Sequence, residues 1–134
     1  MEARYLMIGD WVNYRGTFIK VTSLYDKGCS NEIGWGKIES TWVNGICIEP
    51  IPLTKEILEK NGFEKRWQDN YEYFDDDEGL NITFHPKSSN YTNGAYDYID
   101  IERGCLTINE MPIEFVHQLQ QVLRLCGIKK EIEL

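Results

Sequence analysis

The chain has 134 residues, a formal net charge of −8, 42% hydrophobic residues and 13% aromatic residues. That length suits one ordinary domain or two small modules, and the hydrophobic share is enough for a core without staples, which excludes a mainly disordered chain. Residues 1–52 carry five bases against six acids and the remainder nine against sixteen, so no basic stripe is available to displace counterions from a phosphate backbone, and sequence-independent nucleic-acid binding is disfavoured.

Trp11-Val12-Asn13-Tyr14 and Thr17 to Leu24 flank Arg15-Gly16, which predicts a hairpin with Val12 and Ile19 turned to the core. Alternation puts Phe18, Lys20 and Thr22 on one face and Ile19 and Val21 on the other, and Leu24 is expected to join Ile19 and Val21. A polar loop from Tyr25 to Gly34 precedes short strands at Trp35–Glu39 and Thr41–Val43, and Asn44-Gly45 is the strongest turn signal before Ile46-Cys47-Ile48. Short strands at this density predict a small SH3-like β-barrel over residues 1–52. Trp35, Trp42 and Tyr14 form its candidate interaction surface. The competing and favoured reading of Trp11, Trp35 and Trp42 is that large rings close a small core.

Pro50 and Pro52 remove ladder donors and end this region. Thr54 is a good N-cap for a short helix with an apolar face at Ile57 and Leu58, and Asn61-Gly62 suits its end, with Phe63 folding back on the last turn. Glu64 to Asn70 reads as a turn. Strands are predicted at Tyr71–Phe74, Leu80–Phe84, Ala95–Ile101 and Cys105–Ile108, forming an antiparallel meander with one solvated face. Pro112 suits the first turn of a closing helix in which Phe115, Leu119, Val122 and Cys126 fall at helical spacing, with Val116 and Leu123 widening the stripe and Gly127 as its stop. The helix is expected to lie across the meander, with His117, Gln118, Gln120, Gln121 and Arg124 off the stripe. The tail Ile128–Leu134 alternates enough for a short edge strand. The whole reads as α+β: residues 1–52 an SH3-like β module, residues 53–134 a module of short helix, antiparallel meander and packing helix, with one shared core.

Chemistry is sparse. Cys29, Cys47, Cys105 and Cys126 are scattered, with no Cys-x-x-Cys and no His at ligand spacing, so thiols are expected rather than a disulfide or zinc framework. Asp75-Asp76-Asp77-Glu78 lacks the alternating spacing of a cation loop, and consecutive acids in a strand point to opposite faces, so a solvated turn is expected. Asp97, Asp100 and Glu102 read as outward residues. His85 and His117 are the two histidines, and neither has a nucleophile motif beside it. His117, Gln118 and Gln121 make a candidate polar helix site. His117 as a general base competes with a boundary imidazole, and the boundary reading is favoured. No catalytic, metal-binding or cofactor-binding residue is assigned.

Three stretches carry a likeness: Ile8-Gly9-Asp10-Trp11-Val12 with Lys20-Val21-Thr22; Ile48 to Thr54 with Leu58 and Gly62-Phe63-Glu64-Lys65; and Val116-His117-Gln118-Leu119-Gln120. On these the chain resembles a family of short, uncharacterised proteins encoded by phages and integrated mobile elements of anaerobic gut bacteria. The resemblance implies a bacterial or phage cytoplasmic protein and no activity. No stretch is long and apolar enough to cross a membrane, and Met1 to Leu6 lacks a signal-peptide core. The expected function is non-enzymatic, acting through protein–protein interaction. The alternatives are a nucleic-acid-associated protein using the N-terminal barrel, an acidic DNA mimic, and an enzyme built around a pocket near His117. No cofactor and no membrane partner is expected; the sequence leaves a homodimer open and does not identify the partner.

Overall fold

A computed structural model describes residues 5–25, 35–38, 41–44, 48–88 and 94–134, with backbone alone for Ser23, Tyr25, 35–38 and 41–44. The fold is α+β, with antiparallel sheets and two α-helices among the described residues. The expected turn at Asn44-Gly45, the strand residues Ile46 and Cys47, and Cys29 lie outside the described residues. The chain divides into two compact units: Met1–Pro52 with Phe115–Gln121, and Leu53–Glu114 with Val122–Leu134.

In the first unit, β1 (Trp11–Tyr14) pairs with β2 (Thr17–Tyr25) through Val12↔Ile19 and Tyr14↔Thr17. Both turn residues, Arg15 and Gly16, have positive φ, the geometry whose twist matches a two-residue hairpin. Asn13 Oδ1 accepts from the Gly16 N–H at 2.8 Å. Leu6, Val12, Ile19, Val21 and Ile48 form the core, with Tyr14 packed against it. Beyond Val21 the pairing of β2 with β3 (Trp35–Ile38) shifts register. Leu24 is exposed there and not turned to the core with Ile19 and Val21 as expected: a period of two counts it with Phe18, Lys20 and Thr22 on the other face. With β4 (Thr41–Asn44) and β5 (Ile48–Glu49), the strand order is β4-β3-β2-β1-β5. Among the described residues this is an open sheet; no ladder joins β4 to β5, so the expected barrel closure is not present there. Pro52 forms an isolated bridge with Phe115, and the Val116 N–H reaches Ile51 O at 2.9 Å.

In the second unit, Thr54 caps α1 (Lys55–Lys60), its hydroxyl accepting from the Ile57 N–H at 3.4 Å. Gly62 at φ +85 turns the chain so that the Phe63 N–H closes on Leu58 O at 3.0 Å. The segment expected to be a turn contains β6 (Glu64–Lys65) and a 3-10 turn at Trp67–Asp69; two residues of pairing are too short to leave a periodic signal. Then come β7 (Tyr71–Asp75), β8 (Leu80–His85), β9 (Tyr98–Arg103) and β10 (Leu106–Pro112), in sheet order β10-β9-β8-β7-β6. Leu80, Ile82 and Phe84 are buried as their alternation demands.

β9 begins three residues later than expected, and β10 runs on to Pro112 through a register shift between Ile108 and Met111. Glu110 sits there at φ 56, its N–H bonded to Asp100 Oδ1 at 2.8 Å. Pro112 therefore ends an edge strand, where its missing donor costs nothing, rather than opening the helix.

The closing helix, α2, spans Val116–Leu125. Its first part groups with the N-terminal unit and its last with the meander's unit, so Leu119 does not belong to the meander as periodicity alone suggested. A helical stripe says that a face is buried but not against what. The tail is not a strand. Ile128 and Ile132 are buried, and the buried Asn61 holds Glu133 by both backbone groups, donating from Nδ2 to its carbonyl and accepting at Oδ1 from its N–H, each at 2.8 Å.

Candidate functional site

The site lies in the first unit, at the start of α2. Tyr5, Leu6, Met7, Pro50, Phe115, His117, Gln118 and Gln121 line a cleft of about 550 Å³. That is within the range of ligand pockets, and the lining is of the usual kind, mostly apolar with a few polar groups.

Each wall has a local cause. Residues Met7 to Asp10 close on themselves: the Asp10 N–H donates to Met7 O at 3.1 Å and Asp10 Oδ2 accepts from the Met7 N–H at 2.8 Å. Gly9 takes the positive φ that this turn needs. The helix then reaches back to the loop. Gln120 accepts from the Trp11 N–H at 2.8 Å and donates to Gly9 O at 3.1 Å. Gln121 Nε2 donates to Tyr5 O at 2.9 Å and to Asp10 Oδ2 at 2.8 Å. Gln118, in the first helical turn, accepts from the Phe115 N–H at 3.0 Å, the return half of a capping box. Gln118 and Gln120 thus have structural duties, and Asp10 is a fully buried carboxylate whose bonds fix the loop.

His117 differs from them. It is 3% exposed, its Nδ1 is buried without a hydrogen-bond partner, and its ring stacks on Phe115 with centroids 5.8 Å apart. The expectation of a boundary residue off the stripe is corrected: the imidazole is inside. Burial pushes its pKa below the ordinary 6.5, against an upward pull from the Asp10 carboxylate. At neutral pH the ring is therefore uncharged.

The structure brings His117, Gln118 and Gln121 to one cleft. It also supplies walls that no sequence signal marked: Tyr5, Leu6, Met7 and Pro50 lie more than sixty residues from the helix, and no periodicity connects them to it. Of the other candidate surface, Tyr14 is half-buried on the core with the Arg15 guanidinium 5.4 Å from its ring. The backbone of Trp35 pairs with Asn44 and that of Trp42 with Lys37.

Several other polar residues are engaged within the second unit. His85 Nε2 lies 2.9 Å from Asp100, and Asp97 Oδ1 accepts from the Lys87 N–H at 2.6 Å. Asp75 Oδ1 accepts from the Glu78 N–H at 3.0 Å, and Glu78 pairs with Arg103. Among the described residues no cluster of His, Cys, Asp or Glu could hold a metal ion, and no helix is long and apolar enough to cross a membrane. No family model, curated protein or solved structure matches the chain.

Proposed function

We propose that this is a non-enzymatic accessory protein of a phage or mobile element, and that it acts by holding another protein in the cleft at the start of α2. The carrying observation is the lining of that cleft: an apolar, aromatic wall opened by exposed Tyr5 and Met7 and shared by the buried imidazole of His117. Such a surface loses water favourably on binding. The order β4-β3-β2-β1-β5, with the long β2 serving both halves of the sheet, is that of SH3-like modules, which supports the SH3-like reading; many such modules take extended segments in aromatic grooves. A photo-crosslinking side chain at position 7 should capture a partner from the native host, and the same group at exposed Leu106 in the second unit should not. Capture from position 106 alone would refute the reading.

A second reading has its own observation. Lys20 Nζ lies 5.2 Å from the Trp11 ring centre, and Arg15 lies 5.4 Å from that of Tyr14, so bases and aromatics interleave on the near-neutral unit, as they do where single strands stack. A mobility shift with single-stranded DNA that weakens steeply with salt would promote it.

A further inference from the structure

We propose that the cleft's occupant is an uncharged aromatic residue of the partner chain, bound with one of its carbonyl oxygens on the His117 imidazole. This rests on the interaction reading above and adds the chemistry of what is bound.

The polar groups of the cleft restrict the occupant. Both protons of the Gln121 amide nitrogen have acceptors, Tyr5 O and Asp10 Oδ2, and the Gln118 oxygen holds the Phe115 N–H. Nδ1 of His117 is closed off from solvent, so the ring can reach an occupant only through Nε2. An orphaned buried N–H is rarer in native folds than an orphaned acceptor. That places the proton of the neutral ring on Nε2, facing the cleft as a donor, and the matching group is a carbonyl oxygen.

Charge decides against an anion. The imidazole is held neutral by burial. The Asp10 carboxylate is wholly buried in the same network, and the chain carries −8 overall. A carboxylate or phosphate entering here would lose its water without gaining a counter-charge. Tyr5, Met7, Pro50 and Phe115 give the body of the cleft, and aromatic faces and a thioether are good neighbours for a ring.

The test uses the full chain and two probes of equal shape, N-acetyl-tryptophanamide and the anion N-acetyl-tryptophan, followed by 15N NMR. The amide should shift the backbone signals of Phe115–Gln121 and the ring nitrogens of His117 at millimolar concentration, and the anion should bind about tenfold more weakly or not at all. His117→Phe keeps a ring and removes the donor, so it should weaken the amide about five- to tenfold, the worth of one hydrogen bond. Met7→Glu, at an exposed rim position whose substitution leaves the core alone, should abolish the shifts and serves if His117→Phe does not fold. Equal binding of the two probes, or unchanged affinity in both variants, would each overturn the proposal. Crosslinking of a partner from position 7 with no response to the amide would overturn this chemistry and leave the interaction reading standing. Failure of both would remove both.

Discussion

The two units differ in where their buried polar groups sit. Each takes in a part of α2, and each buries polar residues. In the second unit Asn61 is spent completely: Nδ2 donates to Ile57 O at 2.7 Å and to Glu133 O, and Oδ1 accepts from the Glu133 N–H. In the first unit Asp10, Gln120 and Gln121 are comparably occupied, but His117 keeps a buried nitrogen without a partner beside a cleft. A buried amide that satisfies itself stabilises; one that does not lowers stability and is tolerated where something else depends on it. The second unit has an orphan of its own, Asn81 Oδ1, so it is the cleft beside His117, not the missing bond by itself, that directs attention to the first unit for function.

The sharpest way to break that comparison is Leu119→Ala. Leu119 is fully buried, so truncation should cost about 2–5 kcal/mol in denaturant melts. Amide exchange should show the lost protection in β1 and β2. Loss concentrated in β7–β9 instead would mean that this stretch of the helix supports the meander, and the division of the helix between units would be wrong.

Asn61→Ala comes next. It removes three side-chain bonds and strands the Glu133 backbone groups, at a cost of about 1–3 kcal/mol. Exchange of the amides from Ile128 to Leu134 should rise more than that of the sheet. If the tail stays protected, the buried Ile128 and Ile132 hold it without the amide.

His117→Phe should be nearly neutral at pH 7, within about 1 kcal/mol, because replacing an unsatisfied polar ring by an apolar one of similar size leaves nothing unpaired. Its larger effect is on pH dependence. The folded-state pKa of His117 lies below the ordinary 6.5. Between those two values the unfolded chain binds more protons, so wild-type stability should fall as pH drops below about 6.5 and level off below the folded pKa. Melts of the variant across that interval should show a flatter profile. A profile as steep as wild type would assign the acid sensitivity to other groups.

The smallest effect is expected at Thr54→Ala. The cap bond is long and exposed, so a loss of about 0.5 kcal/mol, the low end for an N-cap, should appear in melts. A much larger loss would make α1 more important to the second unit than its single fully buried residue, Leu58, suggests.

What could be read in advance follows the range of each interaction. The Arg15-Gly16 hairpin, the cap at Thr54, the alternation of Leu80, Ile82 and Phe84, and the stop after Pro50 are set by residues a few positions apart. The register shifts in β2 and β10 were not legible, because a single extra residue leaves no mark on composition and yet, in β10, carries Pro112 into a strand. The site was half legible. His117, Gln118 and Gln121 stood out as polar residues on an apolar helix, but a hydrophobic stripe cannot say that the imidazole is inside it.

By itself the sequence determined the class of the fold, the order of most of its elements and the character of its surface, because dihedral preference, side-chain period and net charge are local or additive quantities. Only the tertiary structure decided which unit each part of α2 joins, that the tail is held by Asn61, and that Tyr5, Met7 and Pro50 meet His117 in one cleft. The bonds joining Gln120 and Gln121 to the loop at Tyr5–Trp11 span more than a hundred residues. Closing so long a loop costs only slightly more than closing a short one, so distance along the chain neither forbids nor announces such a contact, and packing alone selects it.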